Sequence, residues 1–371
     1  MAADGIPNSQ RVEGTTQRQL YTKVVDQVLN APAYAARAIS SGVAFEGKTE
    51  DITLAVSQNN QGQWFTGLET LNSSAVNITV TSSYAQNAFT FPVVSIMLES
   101  FANVGSLGII NLDNFNYEEG AAQALQAIGT AIYGTGSGNQ MLGLEAIVDN
   151  GTNNPTIGGI SRSTYPQLNA YVLPASGSAL TLAQMATVWD NTSAGGLMQE
   201  TPNVMPTTKA VFSYYEQLLA PNVRATYDEV GYDRLTMKSK YGQRNNDQLR
   251  NSAGFNVLSY RTGSVLPDDL ANSGILYFLN EDYVNWYGRE EVPAEYKDVI
   301  EHVDFGDDSM DAYEGTGAMS LSMPSKYHGF YYQKPLVIPD QAGKIARFYV
   351  IGQYIAKSFR RQGKLTSVLG V

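Results

Sequence analysis

Residues 113–148, DNFNYEEGAAQALQAIGTAIYGTGSGNQMLGLEAIV, decide how the rest of the chain is read. Tyr117, Ala121, Leu125, Ile128 and Ile132 recur at intervals of three and four, which places them on one face of a single long helix. Asn116, followed three residues later by Glu119, has the form of a capping box, and the acidic residues around it suit the positive end of a helix dipole. The pattern stops at Gly134. Gly134-Thr135-Gly136-Ser137-Gly138 continues a helix poorly, so it reads as a helix stop, and the apolar run Met141 to Val148 begins a new element. A phosphate-binding role for this glycine loop is the weaker reading, because it follows a helix and opens no convincing second one.

Upstream the period changes to two. Ile52, Leu54 and Val56 alternate with polar residues, as do Val76, Ile78 and Val80, and each run predicts a strand. Asn59-Asn60-Gln61-Gly62 between them is a turn signal, followed by the aromatic pair Trp64-Phe65. The segment to Pro92 therefore reads as a long two-stranded excursion, which is marginal alone and calls for another surface, such as another subunit. Residues 1–15 lack periodicity and read as a mobile arm, and Thr16–Ile39 carries helical spacing through Leu20, Val24 and Val28, broken at Pro32.

Downstream, Leu180–Trp189 and Thr208–Leu219 predict helices, the second with Val211, Tyr214, Tyr215 and Leu218 on one side and a stop at Pro221. Phe255–Tyr260, Gly274–Leu279, Pro335–Pro339 and Ala346–Phe359 are strand-like, and Glu301–Glu314 reads as an acidic loop. The order predicts that N-terminal and C-terminal strands share a sheet with the long helix, the middle being inserted as a second domain.

Composition narrows the function. At 371 residues the chain can bury one large core or two moderate ones. A net charge of −11 argues against a dedicated nucleic-acid binder. The absence of cysteine excludes disulfides, thiolate metal sites and Cys nucleophiles. No signal peptide is visible, and no apolar run approaches the roughly 18 residues of a membrane span. His302 and His328 are the two histidines, which leaves little material for His-based catalysis. Between Lys48 and Arg162 there is no Lys or Arg but nine acidic residues, whereas the tail after Gly343 holds Lys344, Arg347, Lys357, Arg360, Arg361 and Lys364 with no acid. Solvated faces account for this, and so does complementarity between copies of the chain.

Formal motifs mislead here. Gly42-Val43-Ala44-Phe45-Glu46-Gly47-Lys48-Thr49 satisfies the P-loop pattern, yet helix-like sequence precedes it and strand-like sequence follows, the reverse of a phosphate cradle. Glu46 would also set a carboxylate among phosphate oxygens. No G-x-S-x-G elbow is present. Asp304, Asp307, Asp308 and Asp311 near His302 could hold a hard cation, but their spacing is not that of an EF-hand and an exposed acidic turn is the default. The aromatic runs Tyr327–Tyr332 and Phe348–Tyr354 read as core or interface packing. Nothing assembles a nucleophile, a base and an orienting group, so no catalytic, cofactor-binding or metal residue is assigned and no enzyme is expected.

In this order of parts the chain resembles the major capsid proteins of tailed double-stranded DNA bacteriophages, with the HK97-type fold. The resemblance is carried by Tyr133-Gly134-Thr135-Gly136, by Gly143-Leu144-Glu145-Ala146-Ile147-Val148, by Ile157-Gly158-Gly159-Ile160-Ser161-Arg162 and by Gly274-Ile275-Leu276-Tyr277-Phe278-Leu279-Asn280. It covers almost the whole chain, as a pattern rather than an invariant signature. It implies an α+β architecture: an N-terminal arm at 1–43, an E-loop hairpin at 44–92, and a peripheral (P) domain with its spine helix at 93–150. A mainly axial (A) domain with P-domain crossings would occupy 151–334, and 335–371 would return to the P-domain sheet.

The same resemblance implies a shell of hexamers and pentamers, icosahedral or prolate, assembled in the host cytoplasm with scaffolding and portal proteins and found in the virion. A decoration protein is a possible partner, the enclosed double-stranded DNA is not bound sequence-specifically, and no cofactor or membrane is implied. Some relatives join subunits by an isopeptide bond from an E-loop lysine; Lys and Arg are absent from Thr49 to Ser161, so no such cross-link is expected from this loop. The short segment before the hairpin, beginning at Met1, favours a separate scaffold over a cleaved one. The competing readings are an encapsulin-like nanocompartment, a tail or baseplate component forming tubes or rings, and a P-loop nucleotide binder using Lys48 and Thr49.

Overall fold

The computed structural model describes residues 33–102, 112–193, 200–230, 258–302, 329–339 and 341–368. The predicted arm with Leu20, Val24 and Val28, the acidic cluster Asp304, Asp307, Asp308 and Asp311, and the aromatic run's Tyr327 all lie outside the described residues, as does His328.

Two six-stranded sheets carry the fold. In the first, Gly343–Ala356 is the central strand. Asn87–Ile96 runs antiparallel to it from Asn87 opposite Gly352 to Ile96 opposite Gly343. Phe330–Val337 and Val284–Arg289 also pair antiparallel with it. Val43–Phe45 then adds parallel to Val284–Arg289, and Ile300–His302 antiparallel to Phe330–Val337. Pro92, which has no N–H to give a ladder, sits in Asn87–Ile96, whose one strand partner among the described residues is the central strand. N-terminal and C-terminal strands thus share a sheet, as their order predicted.

The helix Leu112–Ile132 packs on this sheet with Ala121, Leu125, Ile128 and Ile132 buried, the face that the spacing predicted. Tyr117 meets Tyr332 edge-on, ring centroids 6.0 Å apart. The start of the helix differs from expectation. Asn116 lies inside it rather than at its cap, and Glu119 accepts from Gln123 Nε2 one turn on, at 2.8 Å. Polar residues in the first turns of an amphipathic helix serve equally as caps or as a solvated face, so the motif alone could not place the boundary.

The second sheet runs in the order Tyr171–Pro174, Gly363–Thr366, Leu276–Phe278, Val204–Thr207, Gly263–Pro267, Leu258–Tyr260. Its core joins Leu276, Phe278 and Leu365 to Met185, Val188 and Trp189 of the helix Leu182–Thr192. That helix opens with a capping box between Thr181 and Gln184. The helix Lys209–Val230 runs past Pro221 rather than stopping there; proline's φ is already helical, and its missing N–H removes one bond from a ladder that both flanks continue. Gly363–Thr366 is the other departure. The segment 335–371 does not all return to the first sheet, because after Phe359 the chain crosses to the second and pairs with Tyr171–Pro174 and Leu276–Phe278.

Candidate functional site: the hairpin, its root and the junction between the sheets

Thr49–Ala55 and Thr79–Ala85 form an antiparallel hairpin in register from Thr49 opposite Ala85 to Ala55 opposite Thr79. The second strand starts at Thr79, so Val76 and Ile78 fall in the loop between the arms, although Val56 N still donates to Ile78 O at 2.9 Å. Along the ribbon Leu54, Val56, Ser82 and Tyr84 are buried, Tyr84 near the root and Leu54 and Val56 next to the loop. In the loop Trp64 and Leu68 are fully exposed, at 101% and 108%, and Phe65 and Leu71 are more than half exposed.

The root is held from two sides. The two-residue strands Thr156–Ile157 and Ile160–Ser161 are joined by Gly158 and Gly159, both at positive φ, as a tight hairpin turn requires. Gly158 O accepts from Ser83 N at 3.0 Å, and a Cβ at Gly158 would lie 2.7 Å from that of Ser82. On the other side Arg289 Nη1 donates to Gly47 O at 2.9 Å.

Arg162, which ends the same glycine motif, is wholly buried. Its Nη2 donates to Ala146 O and Ile147 O at 3.0 and 2.9 Å, and its Nη1 donates to Asp149 O at 3.0 Å. The first two carbonyls are left open at the end of the helix Leu144–Ile147, where a cation also suits the helix dipole, and Asp149 O accepts from Ala170 N as well, at 3.0 Å. Asp149 Oδ2, 3.5 Å from Nη1, in turn accepts from the backbone N–H groups of Gly151, Asn153 and Asn154. Burial lowers the Arg162 pKa against the pull of Asp149, and burial raises that of Tyr84 to about 12. One guanidinium therefore joins two of the motifs that carry the resemblance. Gly143, just before the same helix, lies over the end of the long helix; a Cβ there would come within 2.3 Å of Gly134 O and 2.6 Å of Ala131 O.

Between the two sheets lies a buried polar junction. Asp268 accepts from Tyr34 N at 2.9 Å, Leu270 N at 2.9 Å and Tyr133 Oη at 3.1 Å. The Tyr34 and Tyr354 hydroxyls are bonded to each other. Glu145 accepts from Lys364 Nζ at 2.9 Å and from Tyr277 Oη at 3.1 Å. Burial drives the phenols of Tyr34, Tyr133 and Tyr277 well above the ordinary tyrosine value and raises Asp268 too. The network ties the helix Ala33–Ser40, the end of the long helix and the second sheet together.

The sequence motifs settle against this geometry. Lys48 is exposed in the turn between Val43–Phe45 and Thr49–Ala55, with the helix Ala33–Ser40 before it and a strand after it, so Gly42–Thr49 does not lead into a helix as a phosphate cradle does. The glycine loop closes the long helix through Gly134 N donating to Ala131 O at 3.0 Å. Phe330, Phe348 and Tyr354 are core residues. The basic tail is partly neutralised within its own chain: Lys364 meets Glu145, and Arg361 pairs with Glu200 and stacks over Tyr283. A cleft of about 420 Å³ beside Trp189, Asp190 and Arg261 offers one carboxylate, and Arg261 holds it at 2.5 Å. Among the described residues no helix is long and apolar enough to cross a membrane. Sequence reasoning missed Arg162 as a keystone and Asp268 as a hub, since neither burial nor partners are legible from residue type.

No protein-family model matches the chain, and no curated protein matches it. Solved structures do match. The capsid asymmetric unit of cyanophage A-1(L) aligns with a TM-score of 0.67 at 14% identity, over 98% of this chain and 99% of that one. The capsid of a native GTA particle aligns at 0.56 and 9%, over 98% and 100%. The SrpI encapsulin of Synechococcus elongatus aligns at 0.54 and 9%, over 98% and 96%. At such identities the likeness is one of fold, and it runs from end to end. The chain has the α+β, HK97-type architecture of capsid shells.

Proposed function

We propose that this chain is a major capsid protein, a non-enzymatic subunit that assembles into hexamers and pentamers closing the head shell of a tailed phage around its double-stranded DNA. The observation that carries the reading is the end-to-end match to a phage capsid asymmetric unit at a TM-score of 0.67. The hairpin supports it, since a paired ribbon with a fully exposed apolar loop is marginal by itself and gains stability against another chain. In this reading 44–92 is the E-loop, 93–150 holds the spine helix of the P domain, 151–334 is mainly A domain, and 1–43 is the arm. Scaffolding and portal proteins assist assembly in the host cytoplasm, a decoration protein is a further partner, and the negative net charge keeps the shell from gripping its DNA tightly.

The second reading, an encapsulin-like compartment with protein cargo, is favoured by the SrpI match. Co-expression with a candidate scaffold followed by negative-stain electron microscopy tests both. Closed uniform shells are expected, and tubes or isolated rings would defeat both readings. Co-production with terminase and portal then separates the two: DNA-filled heads support the phage shell, and shells that fill only with a co-expressed enzyme support the compartment.

A further inference from the structure

At the edge of the polar junction, a lysine and an asparagine from distant parts of the chain meet on one carboxylate. Glu145 belongs to the helix Leu144–Ile147, Asn272 to the segment leading into the strand Leu276–Phe278, and Lys364 to the strand Gly363–Thr366. Glu145 Oε1 accepts from Lys364 Nζ at 2.9 Å, and Oε2 accepts from Asn272 Nδ2 at 3.3 Å and from Tyr277 Oη at 3.1 Å. The Asn272 amide nitrogen also lies 3.0 Å from Tyr277 Oη and 2.9 Å from Tyr133 O.

The lysine is the unusual member. Lysine stems ordinarily lie along a surface with the ammonium in water, and fully buried lysines are rare unless paired. Here the side chain is 2% exposed, and the ladder fixes its position by setting Lys364 opposite Tyr277. The ion pair with Glu145 accounts for the burial. It does not account for a primary amide held on the other oxygen of the same carboxylate. An amine, a carboxamide and a carboxylate that touches the nitrogens of both are the parts of an acyl transfer: nucleophile, acyl group and acid–base residue.

We propose that Lys364 and Asn272 join in an isopeptide bond within a single chain, with Glu145 as the acid–base residue. The Lys364 ammonium gives a proton to Glu145, and the neutral Nζ attacks Cγ of Asn272. The Nζ–Cγ bond forms and the Cγ–Nδ2 bond breaks. Two protons pass in turn through Glu145 from Nζ to the departing nitrogen, which leaves as ammonium, and Glu145 ends ionised as it began. Nothing is oxidised or reduced, and no co-reactant is needed. The step is one self-modification per chain, without turnover. It ties the strand Gly363–Thr366 to the segment before Leu276–Phe278 inside the second sheet, so it links no subunits and is independent of the shell reading.

Intact-mass spectrometry of the purified, denatured full chain tests the bond without any variant. The expected mass is that of the sequence less one ammonia. Tryptic digestion is expected to give one branched peptide carrying both Lys364 and Asn272, with no cleavage after Lys364. The full sequence mass, or an ammonia loss that maps to a linear peptide, would overturn the proposal. Lys364→Arg and Asn272→Ala chains are expected to keep the full mass, and their loss of the same ammonia would also overturn it. Glu145→Gln separates the roles: full mass supports Glu145 as the acid–base residue, and a joined chain would remove it from the step.

Discussion

At the root of the hairpin Tyr84 is buried against the Gly158–Gly159 turn and Ser83 is bonded to it, whereas in the loop Trp64 lies wholly in solvent. Both regions belong to one β-ribbon, and both are rich in residues that ordinarily avoid water. The contrast is in what satisfies them. The root is completed by its own chain through the Gly158–Gly159 turn, which Arg162 follows, and through Arg289. The loop is not, and an exposed apolar surface of this kind is stable chiefly when a second molecule covers it. The chain by itself thus finishes one end of the hairpin and leaves the other uncovered, the contrast that the proposed shell role would use.

Four measurements sharpen or break that contrast. The largest effect is expected at Arg162. Arg162→Ala leaves the carbonyls of Ala146 and Ile147 without their donor and removes the guanidinium beside the buried Asp149 carboxylate. A loss of about 3–5 kcal/mol in the denaturant midpoint stability of the unassembled chain is expected; a loss under about 1 kcal/mol would mean that the root is not held as described. Next comes Gly158→Ala, which forces a residue with a Cβ to φ +54 against Ser82. About 1–3 kcal/mol is expected, together with faster amide exchange at Ser83, the donor to Gly158 O; unchanged exchange there would sink the idea of a clamp.

The third is pH dependence at the junction. The folded phenols of Tyr34, Tyr133 and Tyr277 lie above their unfolded value near 10. Their contribution is therefore fully present below about pH 10 and is lost as pH rises toward the folded values. Stability followed by denaturant titration should fall on the alkaline side of about pH 10, and Tyr34→Phe should flatten the fall at a cost of about 0.5–1.5 kcal/mol at neutral pH. An identical alkaline slope in the variant would show that Tyr34 does not set it. The smallest effect on the fold is expected in the loop: Trp64→Ser should change the stability of the unassembled chain by under about 0.5 kcal/mol while sharply lowering shell yield. A large loss of stability, or full yield, would erase the distinction between root and loop.

The parts of the fold that were legible were those with a strong period. The buried face of Leu112–Ile132 and the first hairpin arm announce themselves through spacing, because one-sided burial imposes it, and the central strand through its density of Phe, Tyr, Val and Ile. Boundaries were less so: Asn116, Pro221 and Val76 carry signals that local chemistry permits but the surrounding structure overrides. Of the candidate site, the exposed aromatic pair was visible and its root was not. Arg162 is one arginine among many until the turn at Gly158 and the helix Leu144–Ile147 converge on it. Asp268 likewise becomes a hub only when Tyr34 and Tyr133 arrive from distant parts of the chain.

By itself, then, the amino-acid sequence determined the period of each element, the glycine stop after Ile132, the cation-free hairpin and the basic tail, all properties of neighbours along the chain. Tertiary structure alone decided that Gly363–Thr366 leaves the first sheet for the second, that Lys364 answers Glu145 within its own chain, and that Tyr84 is buried while Trp64 in the same ribbon is exposed. The physical reason is that pairing partners and burial depend on groups far apart in sequence, and only the packed chain brings them together.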